Sequence, residues 1–136
     1  MKKLVFIVLF LGFFTAKMHA QVMAAKTQTV VIKSANLRCW TCKEKLEDYL
    51  VRENEDNMQS GMLKRTYNLL AGEIRIQYLP DRVSVDAIKT AINNAGFDAD
   101  STLATPDAYK LLPPICKRKE EGGGPQKGKP CHIEPY

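Results

Sequence analysis

The chain has 136 residues, 20 Lys+Arg against 15 Asp+Glu, and a formal net charge of +5. That length fits one domain once a leader is removed. The positive charge is concentrated at the two ends: Lys2, Lys3 and Lys17 lie in the first 20 residues, and residues 117–136 carry five bases against three acids. Residues 21–116 then hold 12 of each sign, so no dense basic face remains and nucleic acid is excluded as a partner.

Met1-Lys2-Lys3 followed by an apolar run from Leu4 to Phe14 and by Met18-His19-Ala20 reads as a secretory signal peptide, with cleavage after Ala20. The apolar run is too short for a comfortable membrane span. The expected product is exported, periplasmic or secreted, with no membrane insertion after cleavage. Residues 21–26 form an N-terminal extension. All four cysteines lie beyond the leader, in a compartment that permits disulfides.

Residues 27–37 are β-branched and partly alternating, which predicts a strand. Thr41, with Glu44 three residues on, has the form of a capping box, placing Cys42 as the first residue of an amphipathic helix to about Val51. Residues 53–61 read as helix end and loop. Met62–Leu70 and Glu73–Tyr78 are the second and third strands, joined through Ala71-Gly72. Ser84 caps a second helix that presents Val85, Ile88, Ala91, Ile92 and Ala95 inward and ends at Gly96. Residues 97–103 are the weakest strand candidate, and 106–112 one or two helical turns. The order is strand, helix, strand, strand, helix, strand. That predicts an α+β, ferredoxin-like βαββαβ sandwich with two helices on one face of an antiparallel sheet. It places a domain over 27–104, a short helical extension over 105–116 and a flexible Gly/Lys/Pro-rich tail over 117–136. Tyr67, Tyr78, Phe97 and Tyr109 read as core or sheet-surface residues.

Cys39-Trp40-Thr41-Cys42 carries the chemistry. A thiol in the first turn of a helix faces unpaired amides and the positive end of the dipole, which favours its thiolate. Arg38 adds positive charge beside it. Two thiolates three positions apart suit one soft ion: Cu(I) first, Hg(II) by the same logic, Zn(II) or Cd(II) with added ligands. Cys116, Cys131 and His132 are candidate accessory ligands. Cys116 and Cys131 could instead form a bridge with each other, closing a loop worth about 3 kcal/mol. No Ser-His-Asp set, HExxH motif or phosphate-cradling glycine loop occurs, and no enzyme is expected.

This CxxC at the end of the first loop, within that element order, resembles the heavy-metal-associated domain family, over roughly residues 28–103. The family includes copper chaperones, modules of copper-transporting ATPases and the periplasmic mercury-binding protein. Leu37-Arg38-Cys39-Trp40-Thr41-Cys42 stands where the family has Met-x-Cys-x-x-Cys, so the resemblance implies Cys39 and Cys42 as ligands and Leu37 as the apolar residue packed beneath the loop. It places Phe97, in Ala95-Gly96-Phe97-Asp98-Ala99, near the metal loop, with Arg38 and Thr41 flanking the sulfurs. It implies a monomer that buffers one ion, or exchanges it with a donor or acceptor protein such as a transporter or a similar module. Two other readings stay open: a thiol–disulfide redox module of the exported space, and a disulfide-stabilised structural or interaction domain.

Overall fold

The computed structural model describes residues 26–125 and Cys131. The leader, most of the N-terminal extension and His132 lie outside the described residues. Three strands, β1 (Gln28–Lys33), β2 (Met62–Asn68) and β3 (Glu73–Tyr78), form one antiparallel sheet in the order β1-β3-β2. Helix α1 (Trp40–Asp56) joins β1 to β2, α2 (Val85–Asn94) follows β3, and a short α3 (Pro106–Leu111) comes next. Among the described residues no helix is long and apolar enough to cross a membrane.

Strand alternation gives the sheet one apolar and one polar face. Val30 pairs with Ile76, Ile32 with Ile74, and Ile74 with Tyr67. Ile32, Ile74, Ile76 and Tyr78 are buried, while Thr29, Val31, Lys33 and Arg75 on the opposite face are exposed. Helix α1 buries Cys42, Leu46, Leu50 and Asn54, one stripe at four-residue spacing. Asn54 closes its far end onto β2: its amide donates to the Met62 carbonyl at 3.0 Å, and its carbonyl oxygen accepts from the Met62 N–H at 2.8 Å. Helix α2 starts as expected, with the Ser84 hydroxyl accepting from the Ala87 N–H at 3.1 Å. It ends as expected too. Gly96, at φ +95°, donates to Asn93 and the Phe97 N–H donates to Ile92, a Schellman closure.

Three expectations are corrected. The fourth strand does not form: residues 97–103 contain only an isolated bridge between Ala99 and Thr102. Asp98 and Asp100 instead turn their carboxylates to polar partners, Asp100 accepting from the Lys33 N–H at the end of β1 and pairing with Lys89 at 2.8 Å. The sheet is therefore the ferredoxin-like antiparallel sheet without its last strand.

Helix α1 starts earlier than Thr41. Cys39 is its N-cap residue, in extended conformation and with no side-chain cap, and Thr41 is exposed. The helix also runs on through residues 53–56, because buried Asn54 anchors its last turn.

The tail is not uniformly loose. Residues 117–125 pack on the domain: the Arg118 guanidinium grips the Asp98 carboxylate at 2.8 and 2.6 Å, and the Arg118 N–H donates to the Tyr109 hydroxyl. The run Gly122-Gly123-Gly124 is a built turn. A Cβ on Gly123 would lie 2.2 Å from the Lys117 carbonyl oxygen, and the Gly124 N–H donates to Ile115. Gly123 is there for close backbone approach and Gly122 and Gly124 for their positive φ, +80° and +74°, a run that composition alone reads as disorder.

Candidate functional site: four cysteines at the start of α1

All four cysteines meet at the N-terminal end of α1. Cys39 is bridged to Cys131 and Cys42 to Cys116, with Cα separations of 5.4 and 5.5 Å, ordinary for a disulfide. Of the two readings left open for Cys116 and Cys131, the mutual bridge is not formed; each instead pairs with one member of the CxxC motif. Among the described residues no cysteine is free. Cys42 and Cys116 have no solvent exposure and Cys39 has 1%, so the pair does not project as two open thiols. Cys131 is half-buried and is the part of the cluster that reaches solvent.

The reason the tail can reach the motif lies in a residue the sequence reading passed over. Asn36, 2% exposed, sits just before the CxxC loop. Its amide donates to the carbonyls of Gly96, at 3.1 Å, and Cys116, at 3.0 Å. Its carbonyl oxygen accepts from the Asp98 N–H at 3.0 Å and from the Ser34 hydroxyl. One side chain thus ties the β1–α1 loop, the turn after α2 and the 3₁₀ turn Pro114–Cys116 together, and that places the Cys116 sulfur beneath Cys42. The available signal was only an Asn in a strand-to-helix loop, where such residues commonly satisfy backbone groups.

Leu37 and Phe97 are fully buried in the core cluster that also contains Cys39, Cys42 and Cys116. Arg38 is exposed and does not face the sulfurs as a free cation: its guanidinium donates to the carbonyls of Leu70, at 2.7 Å, and Ala35. Trp40 and Lys43 occupy the outer side of the first turn, with the Lys43 ammonium 4.3 Å from the Trp40 ring centre and 5.5 Å from that of Tyr67. Next to them Glu47 receives a forked pair of bonds from Arg65 and a short contact from the Tyr67 hydroxyl. Burial alone would raise the Glu47 pKa, but these donors outweigh it and hold the carboxyl below its ordinary range. Burial, with Glu47 beside it, drives the Tyr67 hydroxyl well above the usual phenol range.

Helix α1 has no acidic residue in its first turn and no side-chain cap. Its positive end is therefore uncompensated, a setting that favours negative sulfur whenever a bridge opens. With both bridges closed there is no thiolate to bind a soft ion, since the ligand and the nucleophile are both the thiolate form. Among the described residues no group of three or more free His, Cys, Asp or Glu side chains could hold a metal.

No protein-family model matches this chain. No curated protein matches it either. Solved structures similar to it include the CopZ metallochaperone, at 26% identity over 53% of this chain and 98% of that one, with a TM-score of 0.45. A copper binding domain from HMA7, a P-type ATPase, is 25% identical over 53% of this chain and 89% of its own, also at 0.45. Oxidized MerP from Ralstonia metallidurans CH34 is 18% identical over 55% and 96%, at 0.42. The α+β architecture itself rests on the strand order and register given above.

Proposed function

We propose that this protein is an exported soft-metal-ion binding module, with Cu(I) the leading ion and Hg(II), Zn(II) or Cd(II) as others, whose ligands are released by reduction. The observation that carries the reading is the gathering of all four cysteines at the uncapped start of α1. Once reduced, Cys39 and Cys42 supply two thiolates from one helix end, a set suited to a low-coordinate soft ion. Cys116 and Cys131, which the bridged fold sets beside Cys42 and Cys39, can raise the count to four on reduction, which suits tetrahedral Zn(II) or Cd(II). The ion would be cargo, buffered and passed to an acceptor protein as one thiolate leaves and another arrives. The chain's own contribution is to bury the sulfurs among Leu37 and Phe97 while they are bridged and to stabilise the thiolates at the dipole end when they are not.

The test is anaerobic titration of the mature protein with Cu(I), Hg(II) and Zn(II), reduced and oxidised in parallel. Tight binding by the reduced form, none by the oxidised form, and loss on Cys39→Ser with Cys42→Ser is the expected pattern. Equal affinity with and without those substitutions removes the assignment. A second reading is favoured by the bridges themselves: a disulfide-stabilised structural or interaction domain. It predicts four oxidised cysteines in protein taken from its exported location and no metal uptake after reduction.

A further inference from the structure

The two bridges differ in the one property that governs disulfide exchange, access to a sulfur. Both sulfurs of Cys42–Cys116 lie fully inside, and so does that of Cys39; only Cys131 reaches the surface. Cys131 opens onto a groove of about 940 Å³ lined by Arg38, Trp40, Lys43, Tyr67 and Leu70 among others. Arg38 and Lys43 meet no carboxylate within ion-pair distance among the described residues, whereas Arg65, also in the wall, is already paired with Glu47. Leu70 is 95% exposed at the rim. The groove is cationic, partly aromatic and ends at Cys131, the one partly exposed cysteine of the four.

We infer that this groove receives a small anionic thiol of the peptide class, which opens the Cys39–Cys131 bridge by attack at Cys131. This goes beyond the metal reading and holds whether or not the reduced cluster binds an ion. The incoming thiolate bonds to the Cys131 sulfur, and the Cys39–Cys131 bond breaks with its electron pair on Cys39. Cys39 is the better leaving group, since it departs as a thiolate at the N-cap of a 17-residue helix with no acid in its first turn. A second molecule of the same thiol attacks the outer sulfur of the mixed disulfide and frees Cys131. Two thiols have then been oxidised to one disulfide, and one protein bridge has been reduced to two thiols. The added thiol leaves the Cys42–Cys116 bridge untouched in both steps, because neither of those residues is exposed to it.

The experiment follows the oxidised mature protein with glutathione, neutral 2-mercaptoethanol and cationic cysteamine. Rates are normalised to thiolate concentration, and adducts and freed cysteines are located by alkylation and peptide mapping. The expected first adduct is on Cys131 with Cys39 alkylated and Cys42–Cys116 intact. Glutathione should outpace cysteamine by about tenfold at low salt, the lower end of electrostatic steering, with the ratio shrinking as salt rises. Lys43→Gln should lower the glutathione rate and leave the cysteamine rate unchanged or higher. A first adduct on Cys39, Cys42 or Cys116, or a rate order indifferent to charge and salt, would overturn the inference. Metal titration of the reduced protein is a separate readout, so failure here and failure of the metal reading are told apart.

Discussion

The two bridges are nested, and that makes their contributions to stability unequal in a calculable way. Cys42–Cys116 spans 74 residues and Cys39–Cys131 spans 92. Either one, formed alone, closes a long loop and in the chain-entropy account stabilises by about 4.5 kcal/mol. With one already closed, the second joins points separated only by the three residues from 39 to 42 and the fifteen from 116 to 131. A ring of about 18 residues is worth about 3 kcal/mol. Removing one bridge from the doubly bridged protein should therefore cost about 3 kcal/mol, and removing the second about 4.5 kcal/mol more. Denaturant unfolding of the parent, Cys39→Ala with Cys131→Ala, Cys42→Ala with Cys116→Ala, and the fourfold variant completes the cycle. Loss of the inner pair should be the costlier of the two by about 1 kcal/mol, since it removes two fully buried cysteine side chains from the core where the outer pair removes one, Cys39. Equal costs for the first and second removal, whichever pair goes first, would refute the nested-loop argument.

Two further outcomes test the supports of the site. Asn36→Ala leaves the Gly96 and Cys116 carbonyls and the Asp98 N–H without their buried partner, and should destabilise by about 3 kcal/mol. Hydrogen exchange localised to residues 96–98 and 114–116 should rise with it, and unchanged protection there would show that Asn36 is not the tie. Burial alone would raise the Asp98 pKa, yet Arg118 and the Ala104 N–H hold it below the ordinary carboxylate range. A depressed native pKa contributes stability that is complete above the unfolded value, about 3.9, and is lost as pH falls toward the native value. The unfolding midpoint should accordingly drop on acidification below about pH 4, and more steeply in the parent than in Asp98→Asn. Parallel slopes would exclude this pair as the source.

Much of the architecture was legible because it is encoded locally. Alternation in Glu73–Tyr78 placed β3 within its residues, and Ser84 and Gly96 marked both ends of α2, since a cap and a positive-φ glycine act through neighbours in the chain. Where a local signal failed, a distant partner had outbid it. Thr41 carries the cap pattern, but the backbone turns into the helix at Cys39, whose sulfur is held by Cys131. Residues 97–103 have strand-forming positions, but Asp98 is taken by Arg118 and Asp100 by Lys33 and Lys89.

The cysteines divide along the same line. Their number and the CxxC spacing were available from the chain alone, and with them the helix-start chemistry that favours thiolates. Which cysteine pairs with which was not. Four cysteines allow three connectivities, and spacing does not rank them. For Cys116 the choice was made by Asn36, which ties it to the loop before α1, and by Arg118, which fixes the following segment to Asp98, so that its sulfur comes within bridging range of Cys42. Pairing is set by separation in space, and only packing across 74 and 92 residues of chain brings that separation down to a bond.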